Sequence, residues 1–209
     1  MPASDTGPLR RNAVLAIAAA AAALAGCSGP MTSPTYRNPD ARTFAQSAMA
    51  GGPMLVVIQG QPFAHEEERT RQAVLAAMTR AMSWTGTPQL TTDAAEAPTS
   101  SLYVVITFNN GAIDGNVQCT VPPAGGGPED DGSVTVAASF CGSRELISNT
   151  YGRINGVDGA DDPGFARLIR QVTTDLFPPP GWLRPGIGVG FGIGSGGWSG
   201  GGAGIGIGF

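Results

Sequence analysis

The chain has 209 residues, 42 % of them apolar, which is enough for one domain with a packed core and further segments. Charged residues make up only 13 %, against about 25 % in an ordinary soluble domain. Glycine at 32 positions and proline at 17 approach the content at which part of a chain stops being globular. A formal charge of −4, with arginine in place of every lysine, argues against nucleic-acid binding, which needs clustered cations on phosphates. One histidine and three cysteines leave few ligands for a metal site, and no cofactor is expected.

In chain order, Arg10 and Arg11 come first, followed by Asn12, an apolar run from Ala13 to Leu24, then Ala25, Gly26 and Cys27. A basic start, a short apolar stretch and a small-residue end make a secretory signal. The run falls short of the about 20 residues that a membrane span needs. The ending Leu24-Ala25-Gly26-Cys27 resembles the lipobox of bacterial lipoproteins. That resemblance implies that residues 1–26 are removed and that Cys27 is lipidated on its thiol and acylated on its new amino group. The lipid bilayer is then the first partner. In enterobacterial-type sorting, Asp after the cysteine retains the protein at the inner membrane. Ser28 at that position therefore implies the periplasmic face of the outer membrane. Each buried methylene contributes about 0.8 kcal/mol, so three acyl chains hold permanently where one anchors only marginally. Loss of Asp5, Arg10 and Arg11 moves the formal charge from −4 to −5.

Residues 27–52, rich in Ser, Thr, Pro, Ala and Gly, read as a flexible tether, with at most a helical turn from Phe44 to Met49. The folded domain is expected over residues 53–180. Met54 to Ile58 is an apolar run of strand length between Gly-Gly-Pro and Gly60. Residues 65–83 have helical spacing: Val74, Leu75, Met78 and Met82 form an apolar stripe, with Glu66, Glu67 and Glu68 at the start and Arg80 near the end, as the helix dipole favours. Leu102 to Phe108 reads as a strand. Asn110-Gly111 then predicts a hairpin, because both residues tolerate positive φ, with a return strand from Ile113 to Val121. After a polar loop, Val134, Val136, Ala138 and Phe140 share one face of a further strand. Asp162 and Pro163 open a final helix with the stripe Phe165, Leu168, Ile169, Val172 and Leu176, and Pro178-Pro179-Pro180 stops it. The order β-α-β-β-β-α predicts an α+β fold: a four-stranded mixed sheet with a parallel crossover between its first two strands and two helices on one face. This layout is similar to small α+β modules of periplasmic lipoproteins.

Residues 181–209 form a tail. Glycine fills the even positions from 186 to 196 and from 200 to 208, and the odd positions carry Ile187, Val189, Phe191, Ile193, Ala203, Ile205, Ile207 and Phe209. Period two describes a strand with one apolar and one bare face. The same composition also suits a disordered low-complexity segment. Phe209 with Ile207 and Ile205 resembles the terminal strand signal of outer-membrane barrels, but the chain lacks the strands for a barrel.

After lipidation, Cys119 and Cys141 remain. Two cysteines in an oxidising compartment suggest a disulfide, contributing about 3 kcal/mol in the chain-entropy model. No Cys-x-x-Cys points to redox catalysis. His65, the single histidine, reads as a solvated residue at a helix start, since no second imidazole is present for a triad or zinc site. Glu129, Asp130 and Asp131, and Asp158, Asp161 and Asp162, are acidic loops without calcium-loop spacing. The best reading is a non-enzymatic, membrane-anchored envelope protein that binds a partner protein or envelope polymer, with the tail as a second contact by strand addition. The rivals are a hydrolase using carboxylates such as Glu66 or Asp162, and a surface or stress lipoprotein with a structural role. No catalytic, metal or cofactor-binding residue is assigned, and no nucleic-acid partner is expected.

Overall fold

The computed structural model describes residues 29–98, 101–111 and 113–179. Cys27 and the glycine-rich tail lie outside the described residues. The fold is α+β. Its elements are β1 (Met31–Tyr36), α1 (Ala41–Ala50), β2 (Met54–Gln59), α2 (Glu67–Ala81), β3 (Leu90–Thr91), β4 (Leu102–Phe108), α3 (Gly115–Thr120), β5 (Val134–Gly142), β6 (Glu145–Ile154) and α4 (Pro163–Leu176). The sheet has six strands rather than the expected four, in the order β1-β6-β5-β4-β2-β3.

The parallel crossover is present: β2 pairs with β4 from Leu55↔Tyr103 to Gln59↔Thr107, with α2 between them in sequence. β4, β5 and β6 then run as an antiparallel meander. One face of the sheet carries the main core. Val74 and Met78 of α2, the full predicted stripe of α4, and Ala41, Ala45 and Ala48 of α1 are buried there against Met54, Val56, Val104, Ile106, Phe108, Val136, Ala138 and Phe140. Phe165 stands at the centre, with ring centroids 5.1 Å from Phe63 and 5.8 Å from Phe108. α4 is capped as its sequence predicts: Asp162 Oδ1 accepts from the Gly164 amide at 2.6 Å, and Pro163 follows.

Three expectations are corrected. First, residues 113–121 do not form a return strand. Asp114 Oδ1 accepts from the Asn116 amide at 2.7 Å and starts α3 instead. Val117 and Val121 are 51 % and 68 % exposed while Cys119 is buried, so the three do not share an apolar strand face. Positive φ does occur, at Asn109 (48°) and Gly111 (64°), but it turns the chain into α3 rather than into a hairpin. Second, the hairpin that does form joins β5 to β6 through Ser143 and Arg144, at φ 53° and 73°. Neither residue is a usual turn signal. Third, residues 31–50 do not behave as a tether. β1 adds to the outer edge of β6 from Met31↔Arg153 to Tyr36↔Asn149, with a register shift after Pro34, as a proline in a strand requires of an edge. α1 is held at the C-terminal end of α4: Arg42 Nε donates to the Phe177 carbonyl at 3.0 Å, and its guanidinium lies 4.5 Å over the Trp84 ring.

The second face of the sheet is covered by α3. The Cys119–Cys141 disulfide, Cα–Cα 5.5 Å, ties it to β5. Val105, Val57, Tyr103 and Leu146 pack around the two sulfurs.

Candidate functional site

An open cavity of about 600 Å³ runs along β2, bounded by Glu67, Thr70 and Arg71 of α2 and by Gly125–Gly127. Its floor is a sheet edge. In a parallel ladder successive residues turn their peptide groups to opposite neighbours. The Met54 amide donates to the Gln89 carbonyl at 2.9 Å, so Met54, Val56 and Ile58 point to the outer side and Leu55, Val57 and Gln59 to β4. β3 pairs only with Met54 and Leu55. Among the described residues, no strand covers the outer edge of β2 at Ile58. Thr70, 2 % exposed, lines the same cavity, and its hydroxyl has no hydrogen-bond partner. A sheet edge and a buried hydroxyl thus converge on one groove, with the half-buried apolar side chains of Leu55 and Val57 along it.

The upper wall depends on glycine. The Gly126 amide donates to the Phe108 carbonyl at 2.8 Å, and the Gln61 amide donates to the Gly126 carbonyl at 2.9 Å. A Cβ on Gly126 would lie 2.1 Å from the Asn109 carbonyl oxygen. The loop is fastened by Asn109, whose Nδ2 donates to the Gly127 carbonyl at 2.7 Å while its Oδ1 accepts from the Thr135 amide at 2.9 Å. The Asn-Gly pair read as a hairpin signal therefore belongs to a segment that docks this loop over the ends of β2 and β4.

A second cavity, of about 530 Å³, lies between the end of β1 and α3 and is lined by Tyr36, Asp114, Asn116, Leu146 and Asn149. Asn149 is 8 % exposed and its Oδ1 has no partner.

His65 is exposed, in a turn with φ 59°. Glu66 Oε2 accepts from the Ala160 amide at 2.9 Å, which ties the start of α2 to the loop before α4. Arg69 reaches Glu66 at 3.6 Å and Asp161 at 3.8 Å. The two acidic loops, separate in sequence, meet: Glu129, Asp130 and Asp158 line a cavity of about 350 Å³ with Glu66. Among the described residues, no group of three or more His, Cys, Asp or Glu is placed to hold a metal ion. Asp131 is held below the usual carboxylate range, chiefly by hydrogen bonds from Ser133, with Arg153 adding a smaller attraction. Sequence reasoning missed the β2 edge, Thr70 and Asn149. The only local signal was the glycine run 125–127, which read as part of a polar loop.

Fold and site together define a class: an α+β protein with an open-edged mixed sheet and a groove along that edge. No family model matches the chain, and no curated protein matches it in sequence. Among solved structures it is similar to a PelC dodecamer from Paraburkholderia phytofirmans, at 12 % identity and a TM-score of 0.40, over 70 % of this chain and 97 % of that one. A likeness at that TM-score carries no argument.

Proposed function

We propose that this protein is a non-enzymatic lipoprotein of the cell envelope, anchored by acylated Cys27 at the periplasmic face of the outer membrane, and that it binds an extended segment of a partner protein along the outer edge of β2. The observation that carries the binding reading is the uncovered peptide edge at Ile58, inside a cavity of about 600 Å³. Strand addition supplies main-chain hydrogen bonds, and side-chain pockets on either face give selectivity. The alternating tail, Gly186 to Phe209, offers a strand of the same kind to a partner's sheet. The hydrolase reading gains no support from its two candidate acids. Glu66 and Asp162 each accept a hydrogen bond from a backbone amide and hold loop and helix ends in place.

The test is capture of partners from detergent-solubilised envelopes by the full chain, by Ile58→Pro and by a chain lacking residues 186–209. Proline at Ile58 removes an outward N–H and spares the ladder to β4. Loss of the same partner from the Ile58→Pro sample is expected. Identical partner sets from all three samples overturn the binding reading. Mass spectrometry of the mature N-terminus is expected to find a lipidated Cys27, and an intact Met1 or a bare thiol refutes the anchor. Weakened envelopes with every complex intact would favour a structural role instead.

A further inference from the structure

The outer surface of α4 carries Arg167, exposed, and Arg170, half-buried, and no carboxylate occurs from Pro163 to Thr174. Among the described residues, neither arginine makes an ion pair, nor does exposed Arg80 in the last turn of α2. In a chain of net charge −4, most of the other described arginines have a partner: Arg37 pairs with Asp175, Arg69 with Glu66, Arg71 with Glu67 and Arg153 with Asp131. Of the rest, Arg42 lies over the Trp84 ring and Arg144 stands in the turn between β5 and β6. Arg167 and Arg170 line an open cavity of about 510 Å³ together with Ala81, Gln171, Thr174 and Pro30. Pro30 stands three residues after Cys27. Three residues span at most about 11 Å, so an anchor at Cys27 tethers the molecule close to the arginine-bearing face.

We propose that this face lies flat against an anionic lipid surface, with Arg167 and Arg170 engaging lipid phosphates and Arg80 adding charge at the margin. Guanidinium groups match phosphate oxygens in a bidentate fork. The acidic residues Asp158 and Asp161 sit before the first turn of α4, so the two signs of charge are divided along its length. An anionic surface then attracts one side of the molecule and repels the rest, which fixes its orientation. The geometry rests on the lipid-anchor reading, whereas the charge recognition stands without it and is tested without it.

The test uses the full mature chain carrying Cys27→Ser, so that no acyl chain contributes. Its partition is measured onto phosphatidylglycerol-containing vesicles and onto neutral phosphatidylcholine vesicles at low salt. Each arginine beside an anionic surface strengthens binding about fivefold. Arg167→Glu with Arg170→Glu is expected to weaken partition by about 25-fold or more. Arg167→Lys with Arg170→Lys is expected to keep most of it. Retention of the Cys119–Cys141 bond and of the unfolding midpoint checks the fold of each variant. Release of the parent chain at about 0.5 M salt is the arm that needs no variant. Equal binding to both kinds of vesicle, retention at high salt, or unchanged binding by a folded glutamate variant overturns the proposal. None of these results bears on the mass of the native N-terminus, so a failure here and a failure of the anchor are read separately.

Discussion

Gln118 is 1 % exposed, and both ends of its amide are occupied. Its Nε2 donates to Thr107 Oγ1 at 2.9 Å and to the Ala137 carbonyl at 3.0 Å, and its Oε1 accepts from Ser139 Oγ at 2.7 Å. Gln118→Leu keeps the volume and leaves those partners unpaired in the interior, so a loss of about 2–3 kcal/mol is expected in urea unfolding. Asp175 is 3 % exposed and meets Arg37 at 2.6 Å. Arg37→Met leaves that carboxylate buried without its cation and is expected to cost about 3–5 kcal/mol, part of which Asp175→Asn in the same chain restores. Tyr103 donates to the Cys119 carbonyl at 2.6 Å, and burial raises its pKa above 10.0, against a smaller opposite pull from Arg144. The neutral phenol is the form that fits. Its contribution is therefore whole below about pH 10 and is lost as pH rises through the higher folded value. Tyr103→Phe is expected to be less stable than the parent at neutral pH, and the alkaline unfolding curves of the two are expected to converge above about pH 10, with the parent falling more steeply.

At the scale of the element, α3 is six residues long, too short to persist without tertiary support. Its disulfide and the Gln118 network supply that support. Reduction of Cys119–Cys141 is expected to lower stability by about 3 kcal/mol and to speed hydrogen exchange in residues 115–120 before it does so in β4 or β5, read by mass spectrometry. The elements legible in the sequence were those with strong local pattern: the apolar runs of β2 and β4, the alternation of β5, and the capped stripe of α4. Those that escaped lack it. β6 buries Ser148, Asn149 and Thr150, so its interior carries polar side chains where a strand signal needs apolar ones. β1 contains Pro34 and pairs with a strand that begins more than a hundred residues later. The groove was illegible for the same reason. It consists of a strand edge whose partner stops after two residues, and a missing partner leaves no mark in the local sequence.

At the scale of the molecule, residues 31–50 close the sheet at one side and the helical layer at one end. A chain beginning at Gly51 exposes the outer edge of β6 and leaves Asp175 and the Phe177 carbonyl without Arg37 and Arg42. Loss of cooperative unfolding, or aggregation, is expected for it, whereas removal of residues 186–209 is expected to leave the unfolding midpoint in place. Calorimetry of the two chains distinguishes the outcomes.

The pairing of β1 with β6 also imposes a timetable. Met31 emerges early from any ribosome or translocation pore, and its partner Arg153 follows only after most of the domain has been threaded. Until then the first strand has no seat, so the sheet closes on that side only once the C-terminal half of the domain is in place.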